Sequence, residues 1–433
     1  MTRIAIIGAG SGFGSVLSRD ILSREPLQDC TIALCDIDER RLGITHEFVA
    51  KTIEANNLPA KVEASTERTE SLKDADFVVS SVSVGGPAYA GEPYKSEIEI
   101  PRKYGVEQSV ADTVTPGGVF RFLRTAPVQV AVCRDMERLC PNALLLNYTN
   151  PMAMLTWAHH AATAVRNVGL CHSVQGTTDE LARYCGVARE EVDAVVAGIN
   201  HQAWFLELKH KGADLYPTLR EKMNDPETFA TNAVRFEIMR HFGYFVTESS
   251  HHMSEYVPYF RAHAECFERF NLRKRRDIPA KAPDIPRWLK DSIGEDGEIK
   301  AGELKPSHEF ASGIMQACVT DEPFRFNGNV MNTGLIDNLP AGCCVEVRCI
   351  ADRTGIHPCH AGPLPPQLAA INRSNIAVQE LAVKAFLEKD RDAAFYAVAL
   401  DPLTAAVLPL HRIREMFDEM WQAEGELLRW FDE

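Results

Sequence analysis

The chain has 433 residues, 45% of them hydrophobic and 24% charged, which is the composition of a globular protein with enough length for two domains. Its formal net charge of −14 argues against nucleic-acid binding, because phosphate contacts require basic patches, and the densest basic cluster is the short run NLRKRRD at 271–277. No apolar stretch approaches the ~18 uncharged residues that a membrane-spanning helix needs.

The N-terminal residues RIAIIGAG begin a strand at once, so no signal peptide is predicted. The 12 cysteines of the chain form no C-x-x-C pair, which argues against a structural zinc site. Scattered thiols without a leader are typical of a reducing compartment. We therefore expect a cytoplasmic protein.

The first half of the chain alternates short apolar runs with helical patterns. In chain order it contains RIAIIGAG, a helix from about Gly14, TIALCDID, a helix from Glu39, ADFVVSSVSVGG, a helix near 120–138, ALLLNYTNP and NVGLCHS. Strands that alternate with helices predict βαβ units and an α/β fold. The prediction is a Rossmann-type, doubly wound parallel sheet over residues 1–195.

The pattern changes after about residue 195. AGINHQAWFLELKHKGADLYP predicts antiparallel strands with a turn at Lys211–Gly212, and GCCVEVRCIADRTGIHP predicts a second hairpin. Helical patterns follow at 365–389 and 411–431. The prediction for residues 196–433 is a C-terminal α+β domain.

A glycine-rich turn follows the first strand. Gly8, Gly10 and Gly12 stand where glycines let the backbone approach a pyrophosphate at a helix N-terminus, although Phe13 occupies the place of the third glycine of the common motif. Asp36 ends the second strand, where an acid accepts hydrogen bonds from ribose hydroxyls and repels a 2′-phosphate. Strand, glycines, helix, strand and acid together predict an NAD site.

Polar residues also recur at the predicted ends of later strands and in one further loop. They are Asp112, Asn147, Asn150, Cys171, His172, Asn200 and His201, followed by His251, His252, Glu255, Tyr256 and Arg261 in TESSHHMSEYVPYFR. Thiolate, imidazole and amide oxygen would together suit a divalent metal with positions open for substrate hydroxyls. Spacing alone does not show that Cys171 and His201 meet, and it favours a buried thiol for Cys171 and a hydrogen-bonded loop residue for His201.

Three of these residues have structural alternatives that the sequence leaves open. Tyr256 suits a proline turn as well as a general base, since a tyrosine of ordinary pKa near ~10 needs a nearby cation to act as a base at neutral pH. Asp112 could cap the turn before Pro116, and Asn150 could fix the Asn-Pro turn.

Nine stretches in order resemble the NAD- and manganese-dependent glycoside hydrolases of family 4. They are IGAGS, LCDID, DADFVV, ADTVTPGG, NYTNPMAM, GLCHSVQGT, GINHQAWFLEL, GYFVTESSHHMSEYVPYF and GLIDNLPAGCCVEV. The resemblance covers essentially the whole chain and is greatest to the branch of melibiose-cleaving α-galactosidases. It implies a sheet like that of lactate and malate dehydrogenases, and a homodimer or homotetramer in which residues 196–433 carry the substrate, metal and subunit contacts.

The chemistry that the resemblance implies differs from the usual route with two carboxylates. NAD+ oxidises C3 of the sugar, which acidifies the proton on C2, and a base then removes that proton. The metal stabilises the resulting enediolate, the aglycone leaves C1 by elimination, water adds, and NADH returns the hydride.

Carried over to this sequence, the resemblance implies a role for each matching residue. Cys171 and His201 are the implied ligands of Mn2+ or another divalent metal, Tyr256 the base at C2, His172 the residue that assists the leaving group, and Asp112 a residue that shapes the site. The implied sugar-binding residues are Asn150, His252 and Glu255. The implied NAD-binding residues are Gly8, Gly10, Ser11, Gly12, Asp36 and Ser81.

Two stretches depart from the α-galactosidase pattern and leave the sugar open. SSVSVGGP at 80–87 differs from the expected AFQIGG-like run, and His251 stands where those enzymes tend to have Glu. An extra imidazole could favour a carboxylate on C6, so α-glucuronidase, α-galacturonidase or unusual-hexose activity is an alternative, whereas CHSVQ disfavours a 6-phosphosugar. Other classes are a hydroxy-acid or sugar dehydrogenase, which would form NADH without metal, and an NAD-sensing module.

Overall fold

The computed structural model describes residues 1–86, 89–276, 278–281 and 283–433. Its strands are β1 Arg3–Ile7, β2 Thr31–Cys35, β3 Lys61–Ser65, β4 Phe77–Ser80, β5 Leu144–Asn147, β6 Arg166–Gly169, β7 Val192–Ile199, β8 Gln202–His210, β9 Ala213–Asp214, β10 Phe324–Met331, β11 Cys344–Asp352 and β12 Gly355–Pro358.

The α-helices of the first half connect these strands. They are α1 Phe13–Leu22, α2 Glu39–Ala55, α3 Arg68–Leu72, α4 Tyr94–Lys103, α5 Thr115–Leu139, α6 Met152–Ala162 and α7 Ser173–Cys185. The later helices are α8 Tyr216–Lys222, α9 Pro226–Thr231, α10 Ala233–Phe242, α11 Ser250–Tyr256, α12 Ala264–Arg269, α13 Arg287–Lys290, α14 Ala311–Thr320, α15 Pro366–Glu388, α16 Arg391–Leu400, α17 Pro402–Val407 and α18 Leu410–Glu424. None of those in the described ranges is long and apolar enough to cross a membrane.

The first six strands form a parallel sheet in the order β3-β2-β1-β4-β5-β6. β2, β4 and β5 are buried along their whole length, because helices cover both faces. α2 begins at Glu39 as predicted, since the Asp38 side chain accepts a hydrogen bond from the Arg41 amide and caps it. The predicted α/β fold of the Rossmann type is confirmed.

The antiparallel strands extend the same sheet beyond β6. β10 meets β6 at Asn329 and Gly169, and β11 meets β7 at Glu346 and Gly198. The hairpin predicted from the sequence at Lys211–Gly212 is the small β8–β9 turn. The much longer hairpin of β7 and β8 was not predicted, and the proposed domain boundary at residue 195 falls inside β7.

This topology places the polar residues at one edge of the molecule. The carboxyl ends of β5 and β6 lead into Asn150 and Cys171, and the turn between β7 and β8 carries His201. α11 begins at Ser250 and brings His252 and Tyr256 to the same place. In open α/β sheets this edge is where ligands bind.

Candidate active site

A cavity of about 560 Å³ lies at the glycine-rich turn, lined by Gly8, Gly10, Ser11, Asp36, Ser81 and Val82 among others. Gly8 has a φ of +87°, and a Cβ atom on it would lie 2.8 Å from the backbone of Ser81. A Cβ atom on Gly10 would lie 2.9 Å from Asp36 Oδ2, which accepts a hydrogen bond from the Gly10 amide at 2.8 Å. These glycines are therefore required by close approach of backbone and carboxylate.

The close contact that the third glycine of the common motif would make falls one residue later in this chain. Gly12 has a φ of +95° and is the N-cap of α1, which starts at Phe13. The close contact falls on Gly14, where a Cβ atom would meet the Ala9 carbonyl oxygen at 2.2 Å. Phe13 is therefore compatible with a dinucleotide-binding turn, and the cradle fits the pyrophosphate and ribose of NAD.

The far wall of the cavity leads to Asn150. Thr149 Oγ1 donates a hydrogen bond to the Val82 carbonyl oxygen at 3.2 Å. The neighbouring Asn150 side chain donates from Nδ2 to Asp112 Oδ2 at 3.1 Å. Its Oδ1 is buried and has no hydrogen-bond partner among the described residues. A buried orphan acceptor at this position fits a ligand hydroxyl.

Asp112 is the centre of a buried hydrogen-bond network. Its carboxylate accepts from the Tyr89 hydroxyl at 3.0 Å and from the Thr113 hydroxyl at 2.9 Å, in addition to Asn150. His252 Nε2 lies 3.6 Å from Asp112 Oδ1. Burial alone would raise the pKa of Asp112, but the hydrogen bond and charge of His252 hold that pKa well below its usual range. Asp112 is therefore ionised.

The residues predicted as metal ligands come together. Ligand atoms of Cys171, His201 and Glu248 all lie within 4.8 Å of one another. The same distance limit holds for a second group that shares His201 and is completed by Asp112 and His252. A buried thiol, a buried imidazole and a half-buried carboxylate form a donor set that fits a borderline divalent cation such as Mn2+ or Zn2+.

His201 is oriented by the residues behind it. Its Nδ1 lies 3.2 Å from Thr113 Oγ1, whose hydroxyl hydrogen is donated to Asp112. Donation from Nδ1–H to Thr113 Oγ1, which the Thr113–Asp112 bond favours, would leave the lone pair of Nε2 for a ligand; the Tyr256 hydroxyl also lies 3.4 Å from Nδ1. Burial lowers the pKa of His201 to about 4, so the ring is neutral, as a metal ligand must be.

Cys171 is 7% exposed at the loop between β6 and α7. Burial raises the pKa of its thiol well above the ordinary value, and the negative charge of Glu248 raises it further. A bound cation would reverse both effects because it stabilises the thiolate.

His252 lies between two carboxylates. Its Nδ1 is 3.5 Å from Glu248 Oε1, and its ring centroid is 4.8 Å from that of His201. Burial acts to lower the pKa of His252, but the hydrogen bond to Asp112 and the charge of Glu248 outweigh it and raise the pKa to about 9. His252 is therefore a cation next to the cluster.

Tyr256 and Glu255 end α11 and are both buried. The Tyr256 hydroxyl accepts a hydrogen bond from the His201 backbone amide at 3.2 Å, and burial raises its pKa well above the ordinary value. The Glu255 carboxylate accepts hydrogen bonds from the backbone amides of Ser109, Val110 and Ala111. In this arrangement Glu255 holds the loop before Asp112, and sugar contact by Glu255 stays a prediction.

His172 stands apart from the buried cluster. Its side chain is 60% exposed, and its Nδ1 lies 3.4 Å from Glu309 Oε1. The hydrogen bond that His172 makes to the Glu309 carboxylate raises the pKa of His172, which favours its protonated form. An exposed imidazole with a raised pKa, next to Cys171, has the chemistry of a general acid.

Two residues of the site were missed by the sequence analysis. Glu248 is the first residue of ESSHH, within the stretch TESSHHMSEYVPYFR, but the sequence predicted no role for its carboxylate. Arg121, in the apolar run GGVFRFLR, is 9% exposed and its guanidinium lies 4.8 Å over the ring of Tyr89. It makes no hydrogen bond or ion pair with the part of the chain that the structure describes. A charged residue in an apolar helical run was the available signal.

Two family models cover most of the chain. Residues 3–187 match the model described as family 4 glycosyl hydrolase, and residues 196–404 match its C-terminal domain.

Several characterised proteins are similar along their whole length. An alpha-galactosidase of Bacillus subtilis (strain 168) is 40% identical and covers 99% of both chains. An alpha-galactosidase of Rhizobium meliloti (strain 1021) is 35% identical over 98% of this chain and 89% of its own. An alpha-galacturonidase of Thermoanaerobacter italicus is 28% identical over 99% of this chain and 97% of its own.

Solved structures share the fold at lower identity. The lplD protein of Bacillus subtilis superposes with a TM-score of 0.83 at 24% identity, covering 97% of this chain and 99% of its own. The 6-phospho-beta glucosidase from Thermotoga maritima, solved with manganese, NAD+ and glucose-6-phosphate, superposes with a TM-score of 0.79 at 21% identity, covering 98% of this chain and 99% of its own.

Proposed function

Because the chain belongs to family 4 of the glycosyl hydrolases, we propose that it hydrolyses α-galactosides of unphosphorylated sugars with NAD and a divalent metal such as Mn2+. The observation that carries the proposal is the proximity of the Cys171 and His201 ligand atoms, close to a glycine-lined cavity ending near Asn150. Two relatives named alpha-galactosidase, at 40% and 35% identity, support the choice of sugar. The fold relative solved with manganese and NAD+ supports the choice of cofactors.

The NAD site is assigned to Gly8, Gly10, Ser11, Gly12, Asp36 and Ser81. Asp36 would accept hydrogen bonds from the adenosine ribose, and its charge disfavours NADP. The hydroxyl oxygens of Ser11 and Ser81 lie 3.1 Å apart in the cavity wall. This hydrogen bond holds the glycine turn next to β4.

When bound, NAD and the metal supply reversible oxidation at C3 of the sugar and polarisation of its C2 and C3 oxygens. Asn150 Oδ1 is the acceptor for a sugar hydroxyl, because its Nδ2 is already engaged by Asp112. We assign removal of the C2 proton to Tyr256, whose hydroxyl lies against His201, and protonation of the leaving group to His172. Asp112 and Thr113 hold His201 in the tautomer with Nε2 free.

A second candidate substrate is an α-galacturonide, and Arg121 is the observation that favours it. The charge of Arg121 helps to lower the pKa of Asp112, but no carboxylate among the described residues lies within ion-pair distance of its guanidinium, so a ligand anion can bind there. Arg121 is stacked on Tyr89, which donates to Asp112 at the site. A uronic acid carboxylate would supply the anion, and a relative named alpha-galacturonidase at 28% identity is consistent with it.

We also propose a homodimer or homotetramer in the cytoplasm. All 12 cysteines are free, and a thiolate ligand requires a reducing compartment. Light scattering of the purified protein tests the oligomeric state.

The function is tested with p-nitrophenyl α-galactoside, α-glucoside, α-glucuronide and α-galacturonide, each with and without NAD+, Mn2+ and reductant. Nitrophenol release from the galactoside that requires both NAD+ and Mn2+ is the expected result. Release from the galacturonide instead, abolished in Arg121→Met, would favour the second candidate. NADH formation with a hydroxy acid and no glycoside cleavage would overturn the proposal.

A further inference from the structure

Glu248 is a half-buried carboxylate to which the proposed chemistry assigns no role. Its side chain is 19% exposed, and its carboxylate lies within 4.8 Å of ligand atoms of both Cys171 and His201. Donor atoms bound at about 2.0–2.3 Å to one ion lie at most about 4.6 Å from one another. The 4.8 Å limit is close to this value, so small side-chain rotations would bring all three groups onto one cation.

The backbone fixes Glu248 relative to the other two residues. Its amide donates to Thr177 Oγ1 at 3.2 Å, and Thr177 belongs to α7, which follows Cys171. The preceding Thr247 donates from its amide to the Ala203 carbonyl at 2.9 Å, two residues beyond His201. Glu248 itself has a φ of +69°, a left-handed backbone conformation that residues with a side chain rarely adopt. These backbone hydrogen bonds therefore hold the Glu248 carboxylate at the cluster in a strained conformation.

We propose that Glu248 is a third protein ligand of the metal, beside Cys171 and His201. The inference rests on the proposed function only in taking a divalent metal to bind at this cluster. A thiolate and a carboxylate together balance the charge of a divalent ion, and the carboxylate oxygen suits Mn2+ better than either of the other donors. Three protein ligands leave the remaining positions open for substrate oxygens.

The competing interpretation is that Glu248 serves as the counter-ion of His252, which lies 3.5 Å away. Under that interpretation, Glu248 acts on the metal only through His252, so Glu248→Gln would have no effect on metal binding once His252 is replaced. As a ligand, Glu248 affects the metal directly, whether or not His252 is present.

The test is Mn2+ affinity of the full-length protein, measured by electron paramagnetic resonance and by calorimetry. Glu248→Gln is expected to weaken Mn2+ binding at least tenfold, both in the parent and in a His252→Gln background, and Glu248→Asp by less. Loss of the Glu248→Gln effect in the His252→Gln background would overturn the inference in favour of the counter-ion role. NAD+ affinity is expected to stay within twofold. Glu207→Gln, an exposed site on β8 that changes net charge equally, is the matched control and is expected to bind Mn2+ like the parent.

Replacement of Mn2+ by Co2+ gives a second measurement, in which a misfolded variant can be told apart from a folded one. The thiolate-to-cobalt charge-transfer band is expected to persist in Glu248→Gln and to disappear in Cys171→Ser, while the visible d–d bands change in Glu248→Gln. Unchanged Mn2+ affinity and unchanged d–d bands in Glu248→Gln would overturn the inference. A parent protein that binds Mn2+ but cleaves no glycoside would overturn the function and leave the ligand assignment standing.

Discussion

Asn150 and Asp112 are joined by a hydrogen bond of 3.1 Å from Nδ2 to Oδ2, which turns the other end of the amide, Oδ1, into the site without a protein partner. The neighbouring Thr149 donates a hydrogen bond to the Val82 carbonyl oxygen, so these two adjacent residues together connect the cavity wall with the network around His201.

Asn150→Ala is expected to lower kcat/KM about 100-fold, because it removes an acceptor aimed at the sugar and leaves Asp112 with one donor fewer. NAD+ affinity should stay within twofold, since no Asn150 atom lies in the glycine turn. Steady-state kinetics on the cleaved p-nitrophenyl glycoside and calorimetry with NAD+ measure the two quantities. The exposed Asn142→Ala is the control, and equal losses in both variants would contradict the assignment.

Gly10→Ala is expected to weaken NAD+ binding at least tenfold, because its Cβ would lie 2.9 Å from Asp36 Oδ2 and displace the carboxylate. Mn2+ affinity should be unaffected. Gly43→Ala is the matched control: no atom lies within 4 Å of its added Cβ, and in the middle of α2 it should stabilise the fold by about 0.5–1 kcal/mol. Wild-type NAD+ affinity in Gly10→Ala would mean that the cavity is not the dinucleotide site.

Tyr256→Phe tests the base. Hydrolysis in heavy water should place deuterium at C2 of the sugar released by the parent enzyme, and the variant should lose both turnover and exchange by at least 100-fold. Mass spectrometry of the product measures the label. Tyr104→Phe, which removes only a surface bond to Glu419, should exchange normally. A product of the parent enzyme without deuterium at C2 would rule the elimination route out.

The buried carboxyl group of Glu346 is expected to make the free energy of unfolding depend on pH. It is fully buried in β11, neither carboxyl oxygen has a hydrogen-bond partner among the described residues, and burial raises its pKa to about 8. The folded state therefore holds a proton that the unfolded state loses above about pH 4.5, and the free energy of unfolding falls as pH rises from there toward 8.

Glu346→Gln should remove this decline and raise the free energy of unfolding at pH 8 by on the order of 3 kcal/mol. Urea unfolding of the metal-free protein at pH 5 and pH 8 measures the difference, with the exposed Glu426→Gln as the control. Parallel pH profiles for the parent and Glu346→Gln would contradict the burial argument.

The sequence determined the parts of the molecule that depend on short-range chemistry. Apolar runs between helical patterns predicted the parallel strands, because buried parallel strands are apolar throughout and helices carry a different period. The glycines before α1 and the acid at Asp36 predicted the cradle, because turn, close approach and ribose contact each require a particular residue type. Family resemblance added Cys171 and His201 as ligand candidates.

The tertiary structure alone decided which side chains meet. The β7–β8 hairpin places His201 beside a thiol 30 positions earlier and a carboxylate 47 positions later, distances that no local pattern encodes. Glu248 and Arg121 can be recognised as site residues only from the groups that lie next to them in the folded chain. Strand and helix signals arise from neighbours in the chain, whereas a site is made by strand order and loop packing between segments that are distant in sequence.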